Sequence, residues 1–342
     1  MVTVPVISSY VLQGLPAFVR DELGEKALRR ANRAAAVDLE LIESRNCFIP
    51  QQAVVSFANA IGREAGEENL GLLIAPTMDV SAYGTFGAYV FGADTLGQAI
   101  DRSIEALGYH STGDRLSMTA FADEVRFSYR FALAGTEGHD IVACAAAGEL
   151  LSLFRAYLPG NWRPLRVELD IEAPRHRSPF EDVFQCPVLF GAPAVALVAE
   201  RRHLAAGARR PSPSMVTIED VARDRPGGAP RRLLDIVAEQ IRTQVLAGGV
   251  MIDDVARSMD TSTRSLQREL HQAGTDFRSL TSAVRIQRAT ELLQHTNGSI
   301  TYVSTLLGYS SPSGFARAFK KVTGIAPDEF RRRHRSFNAE RD

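Results

Sequence analysis

The chain has 342 residues, 45% of them apolar, and a formal net charge of −1, and at about 150 residues per domain it divides more naturally into two ordinary domains than into one large core. No apolar run reaches the roughly 18 residues of a membrane span, because residues 141–154 are broken by Glu149 and residues 188–199 contain Gly191 and Pro193. Cys47, Cys144 and Cys186 stand far apart, which argues against both a cysteine-rich zinc site and a disulfide framework; with a start, Met1-Val2-Thr3-Val4-Pro5, that lacks a basic segment ahead of an apolar one, the expectation is a cytoplasmic protein without a bound metal or cofactor.

The first 75 residues read as helices. Pro50 suits a first helical position, and Val54, Phe57, Ala58 and Ile61 follow at helical spacing. Residues 85–91 are predicted as a strand, and residues 95–107 as a helix with Leu96, Ile100, Ile104 and Leu107 on one face. Residues 116–121 and 125–131 form a predicted hairpin about Ala122-Asp123-Glu124, since Val125, Phe127, Tyr129 and Phe131 alternate with Arg126, Ser128 and Arg130. A helix is expected over 139–157. Another alternating strand is expected over 165–171, where Leu165, Val167, Leu169 and Ile171 oppose Arg166, Glu168 and Asp170. Helices mixed with period-2 strands predict an α+β domain around a mainly antiparallel sheet. It contains no GxGxxG, GxxxxGK[ST], HExxH or GxSxG spacing, so phosphate cradles, zinc hydrolysis and a nucleophile elbow have no motif to rest on. Trp162 is expected as a core anchor at a strand entry.

Residues 211–230 read as a linker between a domain of residues 1–210 and one of 231–342, because Pro211, Pro213, Pro226, Gly227, Gly228 and Pro230 interrupt regular structure. A short helix over 216–223 fits inside the stretch. Cut at Pro230, the chain carries 22 Lys+Arg against 28 Asp+Glu before and 17 against 12 after, balances of −6 and +5. The basic half is the one that suits a polyanion.

That half is predicted as all-α. Leu233, Leu234, Val237, Ile241 and Val245 form a helical stripe that Gly248-Gly249 stops. A short helix over 252–259, a turn at Asp260-Thr261-Ser262 and a second helix over 263–272 follow, with Ser262 as cap. Leu266 and Leu270 face inward; Arg264, Gln267, Arg268 and His271 face outward. This is a helix-turn-helix pattern, and it recurs. Ile300 and Val303 match Ile252 and Val255 at an offset of 48, while Ser311, Phe315, Arg317 and Phe319 match Ser262, Leu266, Arg268 and Leu270 at 49. Gly308 supplies the permissive backbone that Asp260 must supply in the first copy, and Pro312 takes the first helical position after the Ser311 cap. A helix over 277–295, about 28 Å at 1.5 Å per residue, joins the two copies with Phe277, Leu280, Val284, Ile286, Ala289, Leu292 and Leu293 as its apolar positions.

The run Leu306-Leu307-Gly308-Tyr309-Ser310-Ser311-Pro312-Ser313-Gly314-Phe315-Ala316-Arg317-Ala318-Phe319-Lys320, with Thr323-Gly324-Ile325-Ala326-Pro327 and Phe330-Arg331, resembles the C-terminal signature of the AraC-type bacterial transcription regulators. Ser265-Leu266-Gln267-Arg268-Glu269-Leu270 resembles the start of that family's first recognition helix. The sequence departs from the pattern at Met251, where a capping Ser or Thr is usual, and at Met259-Asp260, where Leu-Gly is usual. More loosely, Gly84 to Tyr89, Thr95 to Ala99 and Phe184 to Ala192 resemble the arabinose-binding-like receiver domain of one branch of the family.

The resemblance implies a DNA-binding activator or repressor that reads double-stranded promoter DNA, meets RNA polymerase, responds to a small effector and forms a homodimer. Arg264, Gln267 and Arg268 would face the groove from the first recognition helix, and Ser311, Pro312, Ser313 and Arg317 from the second; Lys320 and Lys321 would hold phosphates. A pocket is expected near Tyr83, Phe86, Tyr89, Tyr109 and His110, where aromatic walls meet polar tips; the alternative role of each is an ordinary core residue. Two other readings compete, a ligand-independent dimeric DNA-binding protein and an enzyme fused to a DNA-binding module. A repair methyltransferase would need a zinc-bound cysteine cluster that three isolated cysteines cannot supply.

Overall fold

The computed structural model describes residues 4–12, 14–37, 47–65, 70–209, 215–246, 249–296 and 298–339. Pro211, Pro213 and Gly248, read above as breakers, lie outside the described residues. The chain forms two compact units that part after Arg231.

The first unit runs β1 (Val6–Ser8), α1 (Leu15–Leu23), α2 (Glu25–Ala35), β2 (Phe48–Pro50), α3 (Gln51–Ala65), α4 (Leu70–Ile74), α5 (Gly84–Phe91), α6 (Leu96–Ala106), β3 (Arg115–Phe121), β4 (Glu124–Arg130), α7 (His139–Tyr157), β5 (Arg166–Leu169), α8 (Ser178–Phe184), β6 (Val188–Phe190), β7 (Val195–Glu200) and α9 (Ile218–Asp224). Its main sheet has the order β3-β4-β7-β5-β6, antiparallel except for β5 with β6. The hairpin closes at Phe121 opposite Glu124, with Ala122 at φ 51. The alternation in β4 puts Val125 and Phe127 into a core with Val167, Leu169, Val195 and Leu197. Each fully buried side chain of this size contributes about 1.5–3 kcal/mol. Helix α7 is buried along most of its length, as expected of a helix that is apolar nearly all round, and its Phe154 lies 6.4 Å from Phe127.

On the other face of the sheet, Glu168 is buried although the alternation predicts it wet. Arg126 Nε donates to Glu168 Oε2 at 2.7 Å and Arg166 Nε to Oε1 at 3.1 Å, while Arg166 also reaches Glu124. The charges are paired across strands, which makes burial tolerable.

Two expectations need correction. Residues 85–91 are not a strand but helix α5, because the run is apolar at nearly every position and periodicity cannot separate a buried strand from a buried helix. Packing decides it. A Cβ on Gly87 would stand 2.5 Å from the Val80 carbonyl oxygen, so the preceding turn lies directly against the helix at its glycine. The first 75 residues are also not all helical, since Val6, Ile7 and Ser8 pair antiparallel with Pro50, Ile49 and Phe48. Such long-range pairing leaves no local period.

The stretch expected as a linker is folded in its second half. Thr217 and Asp220 form a capping box that starts α9, and Val221 is buried against Tyr89 and Ala106 within the first unit.

The second unit is all-α: α10 (Leu233–Leu246), α11 (Ile252–Ser258), α12 (Thr263–Gln272), α13 (Phe277–His295), α14 (Ile300–Leu306), α15 (Pro312–Thr323) and α16 (Pro327–Ala339). Helix α13 buries Thr281 and Val284 near its start and Ile286, Ala289 and Leu293 further on. At about 100° per residue these two sets lie on roughly opposite faces, as a helix shared by two small bundles requires. It packs against α10 as well as α14, α15 and α16.

Candidate functional site

The two helix pairs of the second unit turn in the same way. Thr261 N–H donates to the Ala256 carbonyl at 2.9 Å and Asp260 N–H to that of Arg257 at 3.0 Å. In the second pair Tyr309 donates to Ser304 at 3.0 Å and Gly308 to Thr305 at 3.0 Å. Each pattern ends a helix through one left-handed residue, Asp260 at φ 51 and Gly308 at φ 72. Asp260→Gly is therefore expected to stabilise the second unit by about 1 kcal/mol, and Gly308→Ala to destabilise it by at least as much. The Gly308 change would also bring a Cβ to 3.3 Å from Arg285 Nη2, and Arg285 lies over the Tyr309 ring. Urea unfolding of the variants checks both signs.

Ser262 Oγ accepts from Ser265 N–H at 3.1 Å and Ser311 Oγ from Gly314 N–H at 3.1 Å, so both predicted caps are made. Met251 makes no side-chain cap; its own N–H is taken by Gln244 Oε1 at 3.0 Å instead.

Each second helix then shows two faces. Leu266 and Leu270 of α12 are buried, as are Phe315 and Phe319 of α15. Arg264, Gln267, Arg268 and His271 are exposed on α12; Pro312, Ser313, Arg317, Lys320 and Lys321 are exposed on α15, and Ser311 is half-buried at its start. At 100° per residue Arg264, Arg268 and His271 form one stripe opposite the leucines, and Ser313, Arg317 and Lys320 the same stripe opposite the phenylalanines. Arg268 and Arg317 occupy equivalent places. Neither they nor Arg264, Lys320 and Lys321 are engaged in an ion pair among the described residues, so their charges remain available to a polyanion. Arg331, half-buried, instead donates to the Gly298 carbonyl at 2.5 Å.

In the first unit, Tyr83, Phe86 and His110 come together, with ring centroids 5.1 Å apart for Tyr83 and His110 and 4.9 Å for Phe86 and His110. They line a cavity of about 60 Å³ with Leu116, Phe127 and Leu150. Tyr89 and Tyr109 are not on its wall. Tyr89 bonds Glu105 at 2.6 Å, and Tyr109 packs beside it against the Val221 cluster.

Three residues at this cavity were not singled out from the sequence. Glu149 and Tyr129 line both this cavity and an adjoining one of about 70 Å³, and the Tyr83 hydroxyl donates to Glu149 Oε1. Asp114 lies close behind, accepting from Gln51 Nε2 and from Ala132 N–H, each at 2.9 Å. Burial, with Asp114 adding repulsion, pushes the Glu149 carboxyl up to about 7. Burial and the Arg225 charge hold His110 down at about 3, a neutral imidazole at any ordinary pH. The available signal was Glu149 itself, the one carboxyl within the apolar run of residues 141–154.

A basic all-α unit with two matching helix-turn-helix pairs, joined to an α+β unit with a lined cavity, defines a two-domain helix-turn-helix transcription regulator. The model of the arabinose-binding domain of AraC transcription regulators matches residues 27–207, and that of a helix-turn-helix domain matches residues 255–333. The chain belongs to the AraC family of transcription regulators. It is 27% identical over 310 residues to an ornithine utilization regulator of Pseudomonas aeruginosa, covering 87% of this chain and 88% of that one. An uncharacterized helix-turn-helix transcriptional regulator of Mycobacterium bovis is 42% identical over 80 residues, 23% of each chain. The urease operon transcriptional activator of Escherichia coli is 33% identical over 87 residues, 25% of this chain and 29% of that one. The protein is thus a DNA-binding transcription regulator. Among the described residues, no helix is long and apolar enough to cross a membrane.

Proposed function

We propose that the second unit inserts α12 and α15 into successive major grooves of promoter DNA, and that a small effector held in the first unit modulates this engagement. The observation that carries the reading is the repeated stripe, Arg268 and Arg317 at equivalent places on two helices whose opposite faces are buried. Arginine forks onto guanine O6 and N7, and Gln267 suits adenine N6 and N7. Arg264, Gln267 and Arg268 read one groove segment, Ser311, Pro312, Ser313 and Arg317 the next, and Lys320 and Lys321 hold phosphates. The effector site is the cavity at Tyr83, Phe86 and His110. On this reading the protein works by binding, without catalytic turnover, as a cytoplasmic homodimer that contacts RNA polymerase at the promoter.

Affinity of the full chain for its promoter is expected to fall steeply with salt, each neutralised phosphate adding about 0.9 to the slope of log affinity against log salt. A flat response between low and high salt would remove the electrostatic part of the reading. Arg268→Ala and Arg317→Ala are each expected to weaken specific binding by about 1–3 kcal/mol, measured by equilibrium titration on the same operator.

A further inference from the structure

The effector cavity has a polar inventory that selects among ligand chemistries. Glu149 stands on the wall shared by the two adjoining cavities, and only its Oε1 is engaged, by the Tyr83 hydroxyl; no hydrogen bond reaches Oε2 among the described residues. Asp114, by contrast, has donors on both oxygens. The second observation is independent of any carboxyl. His110 is 8% exposed, its ring stacks with those of Tyr83 and Phe86, and neither ring nitrogen has a hydrogen-bond partner among the described residues. The imidazole nitrogens are therefore open to a hydrogen-bonding group that enters the cavity. Among the described residues no lysine or arginine lines either cavity, the Arg225 charge that acts on His110 standing outside both linings, so an anionic head group beside Glu149 would meet the carboxylate with no counter-charge in the cavity wall. A purely apolar ligand would leave Glu149 Oε2 and the His110 ring unsatisfied.

We infer that this cavity binds a protonated primary amine on a short apolar stem. The inference rests on the reading of the first unit as the effector domain and specifies the chemistry of that site. The ammonium group has three donors. Glu149 Oε2 takes one as counter-ion, the unprotonated nitrogen of His110 takes another, and the Tyr83 and Phe86 faces receive the positive charge as aromatic rings do. The stem lies among Ile7, Leu116 and Leu150. By volume, about 60 Å³ on one side and about 70 Å³ on the other, each cavity holds roughly four to seven water-sized groups at about 10–15 Å³ apiece. A stem of a few carbons fits.

The test is calorimetric titration of the full chain at pH 8 and constant ionic strength with n-alkylamines from ethylamine to n-pentylamine, beside n-butanol and sodium butyrate as neutral and anionic counterparts. At least one amine is expected to bind, and to bind at least tenfold more tightly than butanol or butyrate. Glu149→Gln, which keeps an acceptor for Tyr83, should remove that preference, and His110→Phe, which keeps the stacked ring, should reduce amine affinity. No binding by any amine, equal binding of amine and alcohol, or a preference that survives Glu149→Gln would each overturn the inference. Promoter titration with and without the amine separates the two levels. Glu149-dependent amine binding that leaves DNA affinity unchanged contradicts the effector reading alone. A different metabolite that changes DNA affinity while amines do not bind contradicts this inference alone.

Discussion

Phe315→Ala is expected to destabilise the second unit by about 3–5 kcal/mol, the range for removing a large aromatic ring from a packed core. Phe315 is fully buried at the start of α15, 5.3 Å from Tyr309 and 5.7 Å from Phe319, which is in turn 5.4 Å from Phe330. These rings fix α15 against the turn before it and against α16. The cavity left by alanine cannot close without moving a helix, so DNA affinity should fall with stability. Phe315→Leu should cost far less. The first pair already uses buried Leu266 at the equivalent place, and a leucine leaves a smaller void. Urea unfolding of the two variants, with promoter affinity measured on each, checks the order; equal losses would mean that the ring cluster is not what holds α15.

Glu149→Gln is expected to do the opposite in the first unit. The carboxyl titrates at about 7 in the folded chain, against an ordinary value of 4.5, so between these values the folded state holds a proton that the unfolded state has released. Stability contributed by the protonated group is complete below about 4.5 and is lost as pH rises through about 7. At 1.36 kcal/mol per unit, the wild-type chain at pH 8 carries a penalty of about 3 kcal/mol that a neutral glutamine does not. The variant should therefore unfold at higher temperature than wild type at pH 8, with the gap closing on acidification toward pH 4.5. A gap independent of pH would mean that Glu149 is not held in an unfavourable charged form.

The C-terminal unit was legible almost residue by residue, because its information is local. Caps at Ser262 and Ser311, a glycine at 308 and a leucine or phenylalanine pair on each second helix act within a few residues of one another, and the repetition at offsets 48 and 49 made each copy a check on the other. In the first unit, the helix at 139–157, the hairpin strands and the one at Arg166–Leu169 were also legible from apolar pattern. What was not legible depends on packing at a distance. Helix α5 owes its form to Gly87 meeting the Val80 carbonyl, and β1 owes its form to residues 48–50. The cavity follows the same rule. Tyr83, Phe86 and His110 were found through clustering of aromatic residues along the chain, whereas Asp114, held by Gln51, and Tyr129 reach the site only through tertiary contacts. Glu149 was visible as the break in an apolar run; its meaning required the cavity.

On the proposed function, one chain reads two neighbouring major-groove segments. Methylation-protection footprinting of the full chain on its promoter, repeated with Arg268→Ala and Arg317→Ala, gives the decisive measurement. Two protected guanine-containing stretches per chain are expected, about 34 Å or one helical turn apart on one face of the duplex, with each substitution releasing protection at only one of them. A single protected stretch, or the same base pair released by both substitutions, would contradict it.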